Sequence, residues 1–267
     1  MKHILLFALC SLPFFMNAQV DHKGQFGFYT TAEVPFQSEM PRMSTNFGIG
    51  TQFAFKPSRY LPVFFELKGN TGLYNTQTRD VTYVFTDGSE TDTYVTFKSQ
   101  MHKLQFGTKV YYTSFYQPVR AYVTPQIGYA FMNTRMRIAD PMDEDDCAPL
   151  ENSIRHRSGG WTYGAEVGVE LDMKKIITGA DRPEQRMYIS ASYLGSMRPI
   201  DYINVKYMDE HIHNVADEQL MVDADGRPLN AEFVNLTSGT THEHKIAEIY
   251  NTHLRFISIN VGYVWYL

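Results

Sequence analysis

Hydrophobic and polar residues alternate with period two along most of the chain, in eight separate segments. In the first, around 25–34, Phe26, Phe28, Ala32 and Val34 share one face, while Gln25, Gly27, Tyr29 and Glu33 share the other. The second, 46–56, sets Phe47, Ile49, Phe53 and Phe55 against Asn46, Gly48, Gly50 and Gln52. Comparable stretches follow at 63–73, 103–112, 120–131, 161–172 and 186–193, and the last runs from Ile257 to Leu267. The sixth is the cleanest, with Trp161, Tyr163, Ala165, Val167, Val169 and Leu171 opposed to Thr162, Gly164, Glu166, Gly168, Glu170 and Asp172. A period of two predicts strands whose faces meet two different environments. Pro125 predicts a bulge or distorted pairing in the fifth.

The links between these segments differ in character. Those near 56–62, 115–119 and 178–185 are short and carry proline, glycine or both. The links near 36–43, 79–94, 140–159 and 205–245 are mostly longer and richer in charge. This pattern predicts an all-β fold, an eight-stranded antiparallel transmembrane β-barrel with short periplasmic turns and long extracellular loops. A soluble barrel or sandwich has the same alternation. It is disfavoured by glycines at the polar positions, among them Gly48, Gly50, Gly107, Gly128, Gly164, Gly168 and Gly262, which suit a crowded interior.

Composition changes the picture mainly at the N-terminus. Lys2, an uncharged apolar run from Ile4 to Met16 and a small residue at Ala18 predict a cleaved signal peptide over 1–18, leaving 19–267 as one barrel domain. Cys10 falls in the leader, so Cys147 is the only cysteine expected in the mature chain, and no internal disulfide is available to it. The formal net charge of −5 becomes −6 when Lys2 leaves, which argues against nucleic acid as a partner.

The closing residues Gly262, Tyr263, Val264, Trp265, Tyr266 and Leu267 resemble the C-terminal strand by which outer-membrane proteins address the barrel-assembly machinery. The matching positions are Gly262, Trp265 and Leu267, with Leu267 in place of the more frequent terminal Phe. With eight strands, the mature chain resembles the small outer-membrane barrels of the OmpX and OmpA-barrel type, and more closely the Bacteroidota outer-membrane β-barrel family that includes PorT-like proteins. Asn17-Ala18-Gln19 is similar to the leader ends of exported Bacteroidota proteins. The resemblance implies a bacterial outer-membrane location, with outer-membrane lipid and lipopolysaccharide as surroundings and the assembly machinery as a partner during biogenesis.

Strand parity places Glu33, Glu66, Lys68, Lys103, Lys109, Arg120, Glu166, Glu170, Asp172 and Arg186 in the lumen. Acids and bases confined in so narrow a space are expected to pair into a plug rather than line an open channel. In the longest loop, His211 and His213 on the way out face His242 and His244 on the way back, if the last two strands continue as a hairpin. Four such imidazoles would suit a divalent metal ion; a solvated loop is the plainer reading. The run Asp143 to Asp146 reads as a solvated acidic loop, and Asp223 to Gly226 as a hairpin turn. Trp161, Tyr163, Tyr263 and Trp265 suit the lipid interface.

No nucleophile elbow or phosphate loop is present, so no catalytic residues are assigned and no cofactor is required. The expected role is non-catalytic: membrane stabilisation or surface interaction, with a protein partner at the loops. The alternatives are an accessory subunit of a secretion or barrel-assembly machine, a metal-binding surface protein, and a lipid-modifying enzyme using Ser196 and His253.

Overall fold

Alternation becomes strand pairing in the computed structural model, which describes residues 23–40, 43–58, 61, 63–84, 89–114, 117–141, 149–179, 185–205, 230–231 and 247–267. Eight strands form a closed barrel: β1 (Gly24–Pro35), β2 (Asn46–Phe55), β3 (Val63–Val84), β4 (Glu90–Tyr111), β5 (Val119–Ile138), β6 (Glu151–Leu171), β7 (Gln185–Ser196) and β11 (Arg255–Tyr266). All neighbours are antiparallel, and β1 pairs with β11 from Gln25 opposite Tyr266 to Pro35 opposite Phe256. Backbone bonds between Leu267 and Lys23 and Gly24 finish the seam. Closure leaves no open edge in the barrel wall. Among the described residues no helix is long and apolar enough to cross a membrane.

The expected strand faces are observed. Polar positions such as Gln25, Glu33, Gln52, Glu66 and Thr162 are buried, whereas Phe28, Phe47, Ile49, Leu104, Trp161 and Val167 are exposed. Inside and outside are thus reversed relative to a soluble domain, whose apolar faces turn inward. Around Pro125 the β4 to β5 ladder loses its pairs between Gly107 opposite Gln126 and Val110 opposite Val123, without a change of register. Register shifts occur elsewhere, between Leu73 and Asn75 and between Thr134 and Arg135.

The links differ from expectation at both ends of the barrel. Residues 79–84 and 90–94, expected in a long loop, are strand, as are 151–159. Strands β3 and β4 are 22 residues long, β5 is 20 and β6 is 21, whereas β1, β7 and β11 are 12. About 9–11 residues suffice for a crossing, so half of the wall rises well beyond the other half. On the lower half, β8 (Ile200–Val205) pairs with β10 (Ala247–Thr252), which also pairs with β9 (Asn230–Ala231). At the termini rim, the link from β6 to β7 holds a short helix, α1 (Met173–Thr178), rather than a plain turn. Asp172 caps it, accepting from the Lys175 N–H at 2.9 Å, and Gly179 ends it with φ +70°.

Candidate functional site in the lumen and at the extended rim

Each inward position along a strand contributes one side chain to the lumen, so the sequence of inward residues becomes a stack of layers. At the termini rim the layer is aromatic: Phe64, Tyr111, Tyr122 and Tyr266 pack with Ala54 and Val264. The Arg120 guanidinium carbon lies 3.7 Å from the centre of the Tyr111 ring, and an Arg120 nitrogen donates to the Tyr266 hydroxyl at 2.6 Å. These contacts give a desolvated cation both a π-face and an acceptor.

Above it lies the charged layer. Lys109 reaches Glu170 at 3.0 Å and Glu66 at 3.4 Å, and its ammonium sits 4.2 Å from the Tyr122 ring centre. Lys68 donates to both oxygens of Glu166 at 2.7 Å and lies 3.6 Å from Glu66. Glu170 also accepts from the hydroxyls of Tyr111 and Tyr266, and Glu166 from that of Tyr122 at 2.8 Å. A third group joins Glu33 to Lys103 and to the amides of Asn46 and Asn70.

All ten charged residues assigned to the lumen by parity are buried, but they do not form one network. Seven belong to the charged groups just described, and Arg120, in the aromatic layer, reaches Glu170 at 3.6 Å. The other two serve the termini rim. Asp172 caps α1, because the chain leaves the strand there, and Arg186 donates to the Gln117 carbonyl at 3.0 Å. The tyrosine hydroxyls that complete the pairing were missed in the sequence. Tyr111, Tyr122 and Tyr266 share the inward parity of the charges, and that parity is the signal that selects them.

Toward the extended rim the lumen is closed by an apolar plug. Met40 and Met43 from the link after β1, Tyr74, Met101 and Met132 from the wall, and Ile200, Tyr202 and Tyr250 from the β8 and β10 hairpin form one buried cluster with Leu194, Leu254 and Phe256. Tyr202 and Tyr250 stack at 5.2 Å, and the Asp201 N–H donates to Ser158 Oγ, tying the hairpin to β6. Thioether side chains fill such irregular gaps well. Beyond the plug the tall wall buries Val95, Phe97, Met136 and Ile138 on its inner side. Burial there lowers the pKa of the His156 imidazole against the pull of Asp201.

The histidines at 211, 213, 242 and 244 lie outside the described residues, as do 1–18, Asp143 to Asp146 and Asp223 to Gly226. Among the described residues no group of His, Cys, Asp or Glu is placed to hold a metal ion. Ser196 and His253 do approach each other, but the ring nitrogen lies 3.2 Å from the Ser196 carbonyl, while the hydroxyl donates to the Arg198 carbonyl. The same hydroxyl accepts from the Leu254 N–H at 2.9 Å. In the closing strand, Gly262 sits where a Cβ would meet the Phe28 carbonyl at 2.5 Å and the Tyr188 ring at 2.6 Å. Trp265 packs between Phe26 and Phe28 across the seam, and Leu267 is exposed.

No protein-family model and no curated protein sequence matches the chain. Among solved structures, Neisserial surface protein A is similar at 8% identity and a TM-score of 0.40, over 91% of this chain and 96% of that one. Ail, the attachment invasion locus protein of Yersinia pestis, is similar at 8% and 0.37, over 91% and 97%. A major outer membrane protein from Thermus thermophilus is similar at 10% and 0.39, over 92% and 100%. At these scores the barrel assignment stands on its own closed ladder.

Proposed function

We propose that the protein is an integral outer-membrane β-barrel of non-catalytic role, with a sealed lumen, whose work is done by the structured platform at its extended rim. The observation that carries this reading is the outer face. Phe47 is 65% exposed, Ile49 66%, Trp161 59% and Val167 57%, on strands spread around the barrel, while ion pairs fill the interior. Water disfavours such a belt, and lipid removes the penalty. The resemblance of the closing strand to the C-terminal strands of outer-membrane proteins, and of the mature chain to Bacteroidota PorT-like barrels, supports the same location. The platform favours surface interaction with a protein partner: a tall half-wall and a hairpin docked on the mouth offer a fixed shape where a loop would offer a changing one.

Heat-modifiable migration tests the barrel. In detergent, the unheated protein should run faster than the boiled one and keep a β-sheet spectrum; equal mobilities with no sheet signal would sink the membrane reading. Conductance tests the sealed lumen. Pure protein in a planar bilayer should pass no stepwise current, and regular steps scaling with protein added would show that the plug leaves a path.

A further inference from the structure

The outer face of the tall wall carries an unusual arrangement of charge. Lys98 on β4 stands directly opposite Arg135 on β5, and Arg157 on β6 lies diagonally from Arg135, two residues along from its pair with Asn133. Lys98, Arg135 and Arg157 are all exposed, and among the described residues none has an ion-pair partner. Like charges directly across a ladder are destabilising unless something of opposite sign bridges them.

Their height identifies what does so. Thr71 Oγ1 and the His102 ring below the row, with the Asn133 amide level with Arg157, form a hydrogen-bonded line across β3, β4 and β5, at 2.8 and 3.0 Å. Below that line the outward residues become aromatic and aliphatic, with Tyr129 and Trp161 in edge-to-face contact. Arg157 is four residues beyond Trp161, about 13 Å along the strand and about 9 Å along the membrane normal at the usual tilt. That is where headgroup phosphates lie beside a hydrocarbon layer.

Beside the row, a groove of about 600 Å³ runs over the outer face of β11, β1, β2 and β3, where Ala32, Phe47, Ile49, Leu73 and Ile259 line it among others, and reaches β4 at Gln100. Lys98 follows Gln100 on the same face of β4, two residues nearer the extended rim.

We propose that Lys98, Arg135 and Arg157 form a docking site for a phosphate-bearing anionic lipid, whose phosphate bridges the three cations and whose acyl chain lies in the groove below. The site rests on the membrane reading above. The headgroup chemistry is shared by free phosphate, but the groove adds the part that only a lipid uses.

The test is retention of diphosphoryl lipid A by the intact barrel in mild detergent, read by native mass spectrometry, with inorganic phosphate as the second probe. Wild type should hold the lipid about tenfold to a hundredfold more tightly than a Lys98→Gln, Arg135→Gln, Arg157→Gln variant, since each cation near an anionic surface contributes to attraction. Lys174→Gln, at the opposite rim on α1, should bind as wild type. The triple variant should also be more heat-stable than wild type in lipid-free zwitterionic detergent, and lose that advantage when lipid A is added. Equal retention by wild type and triple variant overturns the site. Displacement of the lipid by inorganic phosphate at matched concentration assigns the row to a free anion and overturns the lipid. Heat-modifiable mobility of every variant is scored in the same samples, so loss of the barrel is distinguishable from loss of the site.

Discussion

Truncating the chain after Tyr263 is expected to abolish the folded barrel, reducing the heat-modifiable fraction to background. The four residues removed pair on both sides. Val264, Trp265 and Tyr266 face Gly27, Phe26 and Gln25 on β1, and Val264 and Trp265 face Arg186 and Gln185 on β7. Their loss leaves two unpaired edges at the termini rim, and each unsatisfied backbone group in hydrocarbon costs several kcal/mol. The truncation also removes the Tyr266 hydroxyl that accepts from Arg120 and donates to Glu170. Leu267→Phe keeps both the backbone bonds and an outward hydrophobe, and should fold as wild type. Refolding from urea into detergent reads the seam, and assembly in cells reads the address. Full folding of the truncated chain in both assays would show that neither depends on these residues.

Replacing Glu170 with Leu should destabilise the barrel by about 3–5 kcal/mol, because removing one member of a buried ion pair leaves its partners desolvated and uncompensated. Glu170 is the meeting point of Lys109, Arg120, Tyr111 and Tyr266, so several groups lose an acceptor together. Lys109→Met should cost a similar amount. The double replacement should cost clearly less than the two singles added, since it removes the charges in balance. Equilibrium unfolding in urea from lipid vesicles, followed through Trp161 and Trp265, measures all three. The two tryptophans face outward at different heights of the wall, so a shift at one and not the other would reveal local loosening. Strict additivity would mean that Lys109 and Glu170 do not act as a pair.

The strand faces could be read from the chain because a period of two is a local property. Once Phe47, Ile49 and Phe53 are recognised as one side, Gln52 must lie on the other. The same rule located the buried charges and would have located Tyr111 and Tyr122. It failed where the chain turns, since parity cannot say that Asp172 has left the strand to cap a helix. Strand length was not legible for a different reason. Residues 79–84 and 90–94 are rich in charge and threonine, and only pairing with a partner of equal length, Val81 opposite Thr93 and Thr82 opposite Asp92, makes them wall rather than loop. The apolar plug was hidden because Met40 and Met43 sit in a link with no period, and their burial depends on a hairpin more than 150 residues away. The base of that hairpin follows the continuation expected after β7, with Ile200 opposite Thr252 and Val205 opposite Ala247.

A cylinder in a bilayer looks the same from every side, and this one does not. Strands β3 to β6 rise on one half while β7, β11, β1 and β2 stop near the rim. The protein therefore has a front and a back in the plane of the membrane. Among the described residues, one half of the wall stands tall and the other carries the β8 and β10 hairpin, so whatever arrives by lateral diffusion meets a different surface from each direction.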